Sequence, residues 1–125
     1  QFHQLLNGRI SQNLNELFFN IFLENWMNLT VIKWRDIPTQ VMIKKSRREV
    51  EKIQLNNRFM EAVDSAATIA DATDADAYLT DWKNEVIEIP DGDLKEPVAN
   101  KAAELELAFT QDILMNYIKN GGYKP

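Results

Sequence analysis

The 125-residue chain has no cysteine. That absence excludes disulfide staples, thiol nucleophiles and thiolate metal sites. Histidine occurs once, at His3 near the start, so imidazole-based metal centres and Ser-His-Asp arrangements lack their central residue in the rest of the chain. Glycine is scarce, with four residues, and no glycine pattern matches a phosphate loop, Asp91-Gly92-Asp93 reading as a turn. Gly121-Gly122 instead follows a helical pattern. No run of about 18 uncharged apolar residues exists, so no segment reads as a membrane span. The acid-rich string Asp71-Ala72-Thr73-Asp74-Ala75-Asp76 lacks the glycine and the closing glutamate of an EF-hand loop, and reads as helix caps and a solvated turn. No spacing singles out a carboxylate pair for acid–base work. No catalytic residue, metal or cofactor is expected.

What is present suits a globular domain. Hydrophobic residues make up 45% and charged residues 26% of the chain, enough apolar material for a core. The net charge of -5 hides an asymmetry. Between Met27 and Met60 stand eight basic residues, Lys33, Arg35, Lys44, Lys45, Arg47, Arg48, Lys52 and Arg58, against three acids, a net of +5. Between Glu61 and Asp112 stand 14 acids against Lys83, Lys95 and Lys101, a net of −11. Two readings follow. Either the parts attract each other within one fold, or they form a bipolar surface that orients a charged partner. Nucleic acid is a poor candidate: Trp34 between two cations suits base stacking, but a pI near 4.9 and the acidic segment repel phosphates.

Hydrophobic periodicity lays out the elements. Residues 11–26 read as a helix capped by Ser11, with Leu14, Leu17, Phe18, Ile21 and Phe22 on one face. This stripe is too apolar to stand alone, and it suits packing on the domain or on a second copy. Met27 stands where a translation start can fall, so residues 1–26 read either as an N-terminal helical extension or as upstream sequence. Residues 28–34 read as a strand and 39–45 as its hairpin partner, joined through Arg35-Asp36-Ile37-Pro38. A turn at Ser46-Arg47-Arg48 leads to a third strand over 49–55. A helix capped by Asn56 or Asn57 runs to about Ala70, with Phe59, Ala62, Val63, Ala66 and Ala67 on its buried face. A short helix over 75–83, capped by Thr73 or Asp74, precedes a short edge strand over 85–89. The pattern over 94–119 predicts one long helix, ended by Gly121-Gly122. The fold class is α+β: a small antiparallel sheet of about three strands with an N-terminal hairpin, followed by two or three helices packed on one face. Residues 27–122 form the single domain and 123–125 a tail.

The strings Val31-Ile32-Lys33-Trp34-Arg35-Asp36-Ile37-Pro38-Thr39-Gln40-Val41, Lys44-Lys45, Arg58-Phe59-Met60-Glu61-Ala62-Val63-Asp64 and Asp76-Ala77-Tyr78-Leu79-Thr80-Asp81-Trp82 resemble a small bacterial family labelled virulence factor. The resemblance covers residues 27–122, and Trp-Arg-Asp-Ile-Pro is its most specific part. In that family glycine commonly stands where this chain has Ser46, which suits a tight turn. The resemblance implies a small cytoplasmic accessory protein, with family members placed near corrinoid and one-carbon functions.

Two functions are therefore open. One is a non-enzymatic accessory or interaction protein whose basic hairpin face binds an acidic or phosphate-bearing partner, with a one-carbon or corrinoid enzyme as one such partner. Its binding residues are Lys33, Trp34, Arg35, Asp36, Lys44, Lys45, Arg47 and Arg48. The other is an enzyme or cofactor-handling accessory in corrinoid or one-carbon metabolism. That requires a concave pocket, for example around Trp34, Asp36 and Tyr78.

Overall fold

The computed structural model describes residues 25–125. The expected helix over 11–26, and any self-association through it, lies outside the described residues, except that Trp26 opens the first strand. Strands β1 (Trp26–Trp34), β2 (Ile37–Lys44) and β3 (Val50–Gln54) lead into helices α1 (Asn57–Ile69) and α2 (Ala75–Thr80). Strand β4 (Trp82–Pro90) and helices α3 (Lys95–Ala108) and α4 (Gln111–Lys119) follow. The chain divides into two compact units. Among the described residues, one unit holds 28–88 and 93–125, and the other holds 25–27 and 89–92. In the smaller unit the Asp91 N–H donates to the Asn25 carbonyl at 3.0 Å.

The larger unit is an α+β fold built on a four-stranded sheet of order β3-β2-β1-β4. The β1–β2 and β2–β3 pairs are antiparallel. β4 takes the place of the short edge strand expected over 85–89 and makes a sheet of four strands rather than about three, lying at the edge beside β1. It begins at Trp82, inside the stretch expected to be helical to residue 83. α2 stops at Thr80 because the Asp81 carbonyl already accepts the Arg35 N–H at 2.9 Å. The next residues then continue as sheet.

β2 occupies the middle of the sheet, and Ile37, Thr39, Val41 and Ile43 are all buried. Helices α1 and α3 pack on it, and α1 also packs on α4. Between the Ile32–Gln40 and Lys33–Pro38 pairs the register shifts and leaves Thr39 unmatched. The Thr39 hydroxyl donates to the Ile32 carbonyl at 3.0 Å, so its burial leaves no polar group unsatisfied. Pro38 falls at this register shift, where a strand tolerates a residue without an N–H donor.

The helix faces follow their apolar spacing. In α1, Phe59, Ala62, Val63, Ala66 and Ala67 are buried, as predicted. Asn56 is the N-cap, its side-chain oxygen accepting the Arg58 N–H. α1 ends in a Schellman arrangement, with Asp71 N–H on Thr68 O at 3.2 Å and Ala72 N–H on Ala67 O at 2.8 Å. Asp71 takes φ 57° there, a left-handed position that aspartate tolerates better than most residues. Asp74 caps α2 by accepting the N–H groups of Asp76 and Ala77, both at 3.1 Å.

The single long helix predicted over 94–119 is divided. Thr110 has extended backbone and its hydroxyl oxygen accepts the Ile113 N–H at 3.3 Å, starting α4 as an N-cap. Phe109 leaves the helical path and sets its ring against Phe59 and Tyr117, with centroids 6.0 and 5.1 Å apart. Arg58 secures the break. Its guanidinium donates to the Glu106 carbonyl at 2.8 Å and the Phe109 carbonyl at 3.2 Å, satisfying groups at the open end of α3.

Candidate functional site

The β1–β2 turn places Trp34, Arg35 and Asp36 together, and each points to an internal task. Trp34 is fully buried. Its indole N–H donates to the Tyr78 carbonyl at 2.9 Å, and its ring stacks on Tyr78 at 5.9 Å. A buried indole needs such a partner for its one donor. Arg35 sits at φ 54°, turning the chain tightly between the strands. Its guanidinium pairs with Asp81 at 3.0 Å and donates to the Gly121 carbonyl at 2.8 Å. It also lies 4.7 Å from the ring centroids of both Trp34 and Tyr123, a cation held between two π faces.

Asp36 completes this clip. Its N–H donates to the Gly122 carbonyl at 2.9 Å, and its carboxylate accepts the Lys124 N–H at 2.8 Å and the Lys83 ammonium at 3.2 Å. Burial pushes the Asp36 carboxyl up. The Lys124 N–H, the Lys83 ammonium and the charge of Lys33 outweigh it and hold the group below its ordinary value. The hairpin tip thus fastens the segment after α4 to the start of β4. Gly121 and Gly122 take φ 68° and 96° to make the turn. The sequence marked these glycines as a helix end and missed that the turn they form docks on Trp34 and Arg35. The signal that could have found it was the pairing of a bulky Trp-Arg-Asp turn with two consecutive glycines, the residues that allow the closest backbone approach.

Lys33 is also engaged internally, 3.1 Å from Glu85 on β4. With the Arg35–Asp81 pair, this joins the basic and acidic segments within one fold. The first of the two charge readings therefore accounts for the part of the basic segment nearest the clip. It does not account for the β2–β3 turn.

Lys44 ends β2, Lys45, Arg47 and Arg48 lie on the turn that follows, and all four are exposed. Lys45 N–H donates to the Glu49 carbonyl at 2.8 Å. The Ser46 hydroxyl oxygen accepts the N–H groups of Arg48 at 3.3 Å and Glu49 at 3.1 Å. Serine closes this turn by hydrogen bonding. Among the described residues no ion pair involves Lys44, Arg47 or Arg48. The eight candidate residues thus fall into two groups: Lys33, Trp34, Arg35 and Asp36 around the clip, and four cations on a hydrogen-bonded turn at the other end of β2.

Trp34, Asp36 and Tyr78 do not share a cleft. Trp34 has no exposed surface, and Asp36 faces Lys83 and Lys124. Tyr78 does line a cleft, but with Asp64, Ala67, Thr68 and Thr73. No group of three acidic or imidazole side chains converges on a metal position among the described residues. No helix among them is long and apolar enough to cross a membrane.

An α+β module with a fastened hairpin tip and a cationic turn defines the class. Residues 32–118 match the family model described as Virulence factor, and the chain belongs to that family. No curated protein and no solved structure matched the chain.

Proposed function

We propose that this protein is a non-enzymatic accessory or interaction module, and that its β2–β3 turn binds an acidic or phosphate-bearing group on a protein partner. One observation carries the reading. Lys44, Arg47 and Arg48 are exposed and free of ion pairs among the described residues, whereas Lys33, Arg35 and Arg58 are committed inside the fold. Clustering like charges on one short turn works against folding through mutual repulsion, and an anionic partner relieves it. The Ser46 hydrogen bonds hold the turn in one shape, which lowers the ordering cost of binding. The resemblance implies a place near one-carbon and corrinoid functions, and an enzyme of that chemistry is the partner proposed.

The test is a fluorescence-anisotropy titration of the full chain with labelled acidic peptides. One is glutamate-rich and one carries phosphoserine, which distinguishes carboxylate from phosphate recognition. Binding that weakens with added salt, and that is lost in the Lys44→Glu, Arg47→Glu, Arg48→Glu triple variant, supports the proposal. Equal binding by the triple variant, or none by the parent, contradicts it.

A further inference from the structure

A second region of the larger unit has a shape and chemistry that the cationic turn does not use. Asp64, Ala67 and Thr68 from α1, Thr73 from the connection that follows, and Tyr78 from α2 line an open cleft of about 300 Å³. That is the lower end of the range for small-molecule sites. Its base is apolar, since Ala67 is buried. Its aromatic wall is fixed: the Tyr78 ring stacks on Trp34 and meets Trp82 edge-on at 6.0 Å. The Tyr78 backbone carbonyl is held by the Trp34 indole at 2.9 Å. A wall fixed in this way loses little freedom on binding.

The polar groups of the cleft keep hydrogen-bonding capacity to spare. Among the described residues the Asp64 carboxylate has no ion pair, and the hydroxyls of Thr73 and Tyr78 make no hydrogen bond. The Thr68 hydroxyl donates to the Asp64 carbonyl at 3.0 Å and keeps its acceptor capacity. Burial raises the Tyr78 phenol above its ordinary pKa, and the charge of Asp64 adds to this. Asp64 and Tyr78 line the same cleft, so the carboxylate and the ring can act on one guest. From Glu61 to Asp81 the sequence contains no lysine or arginine, so nothing within that stretch neutralises a carboxylate there. An anionic guest would be repelled.

We infer that this cleft is a binding site for a small organic cation, a primary amine on a short apolar body. Asp64 is its counter-charge, Tyr78 and Thr73 are hydrogen-bond partners for the ammonium, and Ala67 contacts the apolar part. The ammonium has three donors and no acceptor. A carboxylate and two hydroxyl oxygens match it, while a neutral alcohol leaves the charge of Asp64 unanswered. The site is independent of the cationic turn, so each proposal stands or falls alone.

The experiment is a two-dimensional amide NMR titration of the full ¹⁵N-labelled chain with n-butylamine, at fixed pH and ionic strength. Parallel titrations use 1-butanol and butyrate. The expected result is a saturable shift of the Ala67, Thr68, Thr73 and Tyr78 amides with the amine and none of comparable size with the other two. Asp64→Asn should weaken the amine by about tenfold or more, the loss of one charge-assisted contact, with an unchanged melting temperature because Asp64 is exposed. Tyr78→Phe should weaken it by a smaller factor while keeping the ring stack. Absence of shifts at these residues, equal response to butanol, or unchanged amine affinity in Asp64→Asn overturns the inference.

Discussion

Gly122 lies so close to the face of Trp34 that a Cβ atom built on it would stand 2.8 Å from Trp34 Cζ3. The indole is fully buried and has no flexible end to move aside. Gly122→Ala should therefore destabilise the protein by about 2–4 kcal/mol, combining overpacking with its φ of 96°. Gly121→Ala should cost only about 1 kcal/mol, since its nearest contacts would be 3.4 Å away. Urea denaturation of both variants checks the ranking. A larger loss at Gly121 would contradict the geometry.

Arg35 does two jobs that separate by substitution. Its side chain joins Asp81, Gly121, Trp34 and Tyr123, and its backbone holds a left-handed φ of 54°. Removing the side chain should cost about 2–3 kcal/mol. Arg35→Gly should be less damaging than Arg35→Ala by about 1 kcal/mol, because glycine accepts that φ without strain. Thermal unfolding of the pair reads the difference directly, and equal stability would mean that the turn relaxes.

Asp36 makes stability depend on pH at the acid end. Its pKa in the folded chain lies below the ordinary 3.8, so its contribution is fully present above the unfolded value. That contribution is lost as pH falls through the folded value. The stability gap between the parent and Asp36→Asn should be widest at neutral pH and should close below about pH 4. A gap that stays constant down to strong acid would remove the carboxylate from the clip.

Arg58 should behave as a structural residue. Arg58→Met keeps the stem over Phe59, where the guanidinium lies 4.9 Å from the ring. It removes the bonds to the Glu106 and Phe109 carbonyls. A loss of about 1–2 kcal/mol is expected, with Thr110→Ala costing about 1 kcal/mol at the neighbouring cap. Equilibrium unfolding of the two variants tests whether the break between α3 and α4 is built by these residues.

Much of this fold was legible in local pattern. The strands of the hairpin, the face of α1 and the Asn56 and Asp74 caps all follow from residue type and spacing over a few positions. The misses have a common cause. The pattern across 94–119 keeps helical spacing through Phe109 and Thr110, and only tertiary contacts decide the break: Phe109 packs on Phe59, and Arg58 reaches its carbonyl from 51 positions away. β4 begins at Trp82, and the Asp81 carbonyl just before it is taken by Arg35, a pairing that no window of sequence contains. At the candidate site, charge counting found the cationic turn. It could not separate Lys44, Arg47 and Arg48 from Lys33 and Arg35, because the partners of the latter, Glu85 and Asp81, come from a distant strand and the residue before it.

The most direct measurement is affinity capture from a bacterial lysate with the full chain and its Lys44→Glu, Arg47→Glu, Arg48→Glu variant side by side, with mass spectrometry of both eluates and melting temperatures of both proteins. Exposed substitutions of this kind change stability by only about 0.5 kcal/mol each, so the two should melt within a few degrees of each other. A recurrent partner is expected to elute with salt from the parent and to be missing from the variant. Recovery of the same partner by the variant would contradict the role of the turn.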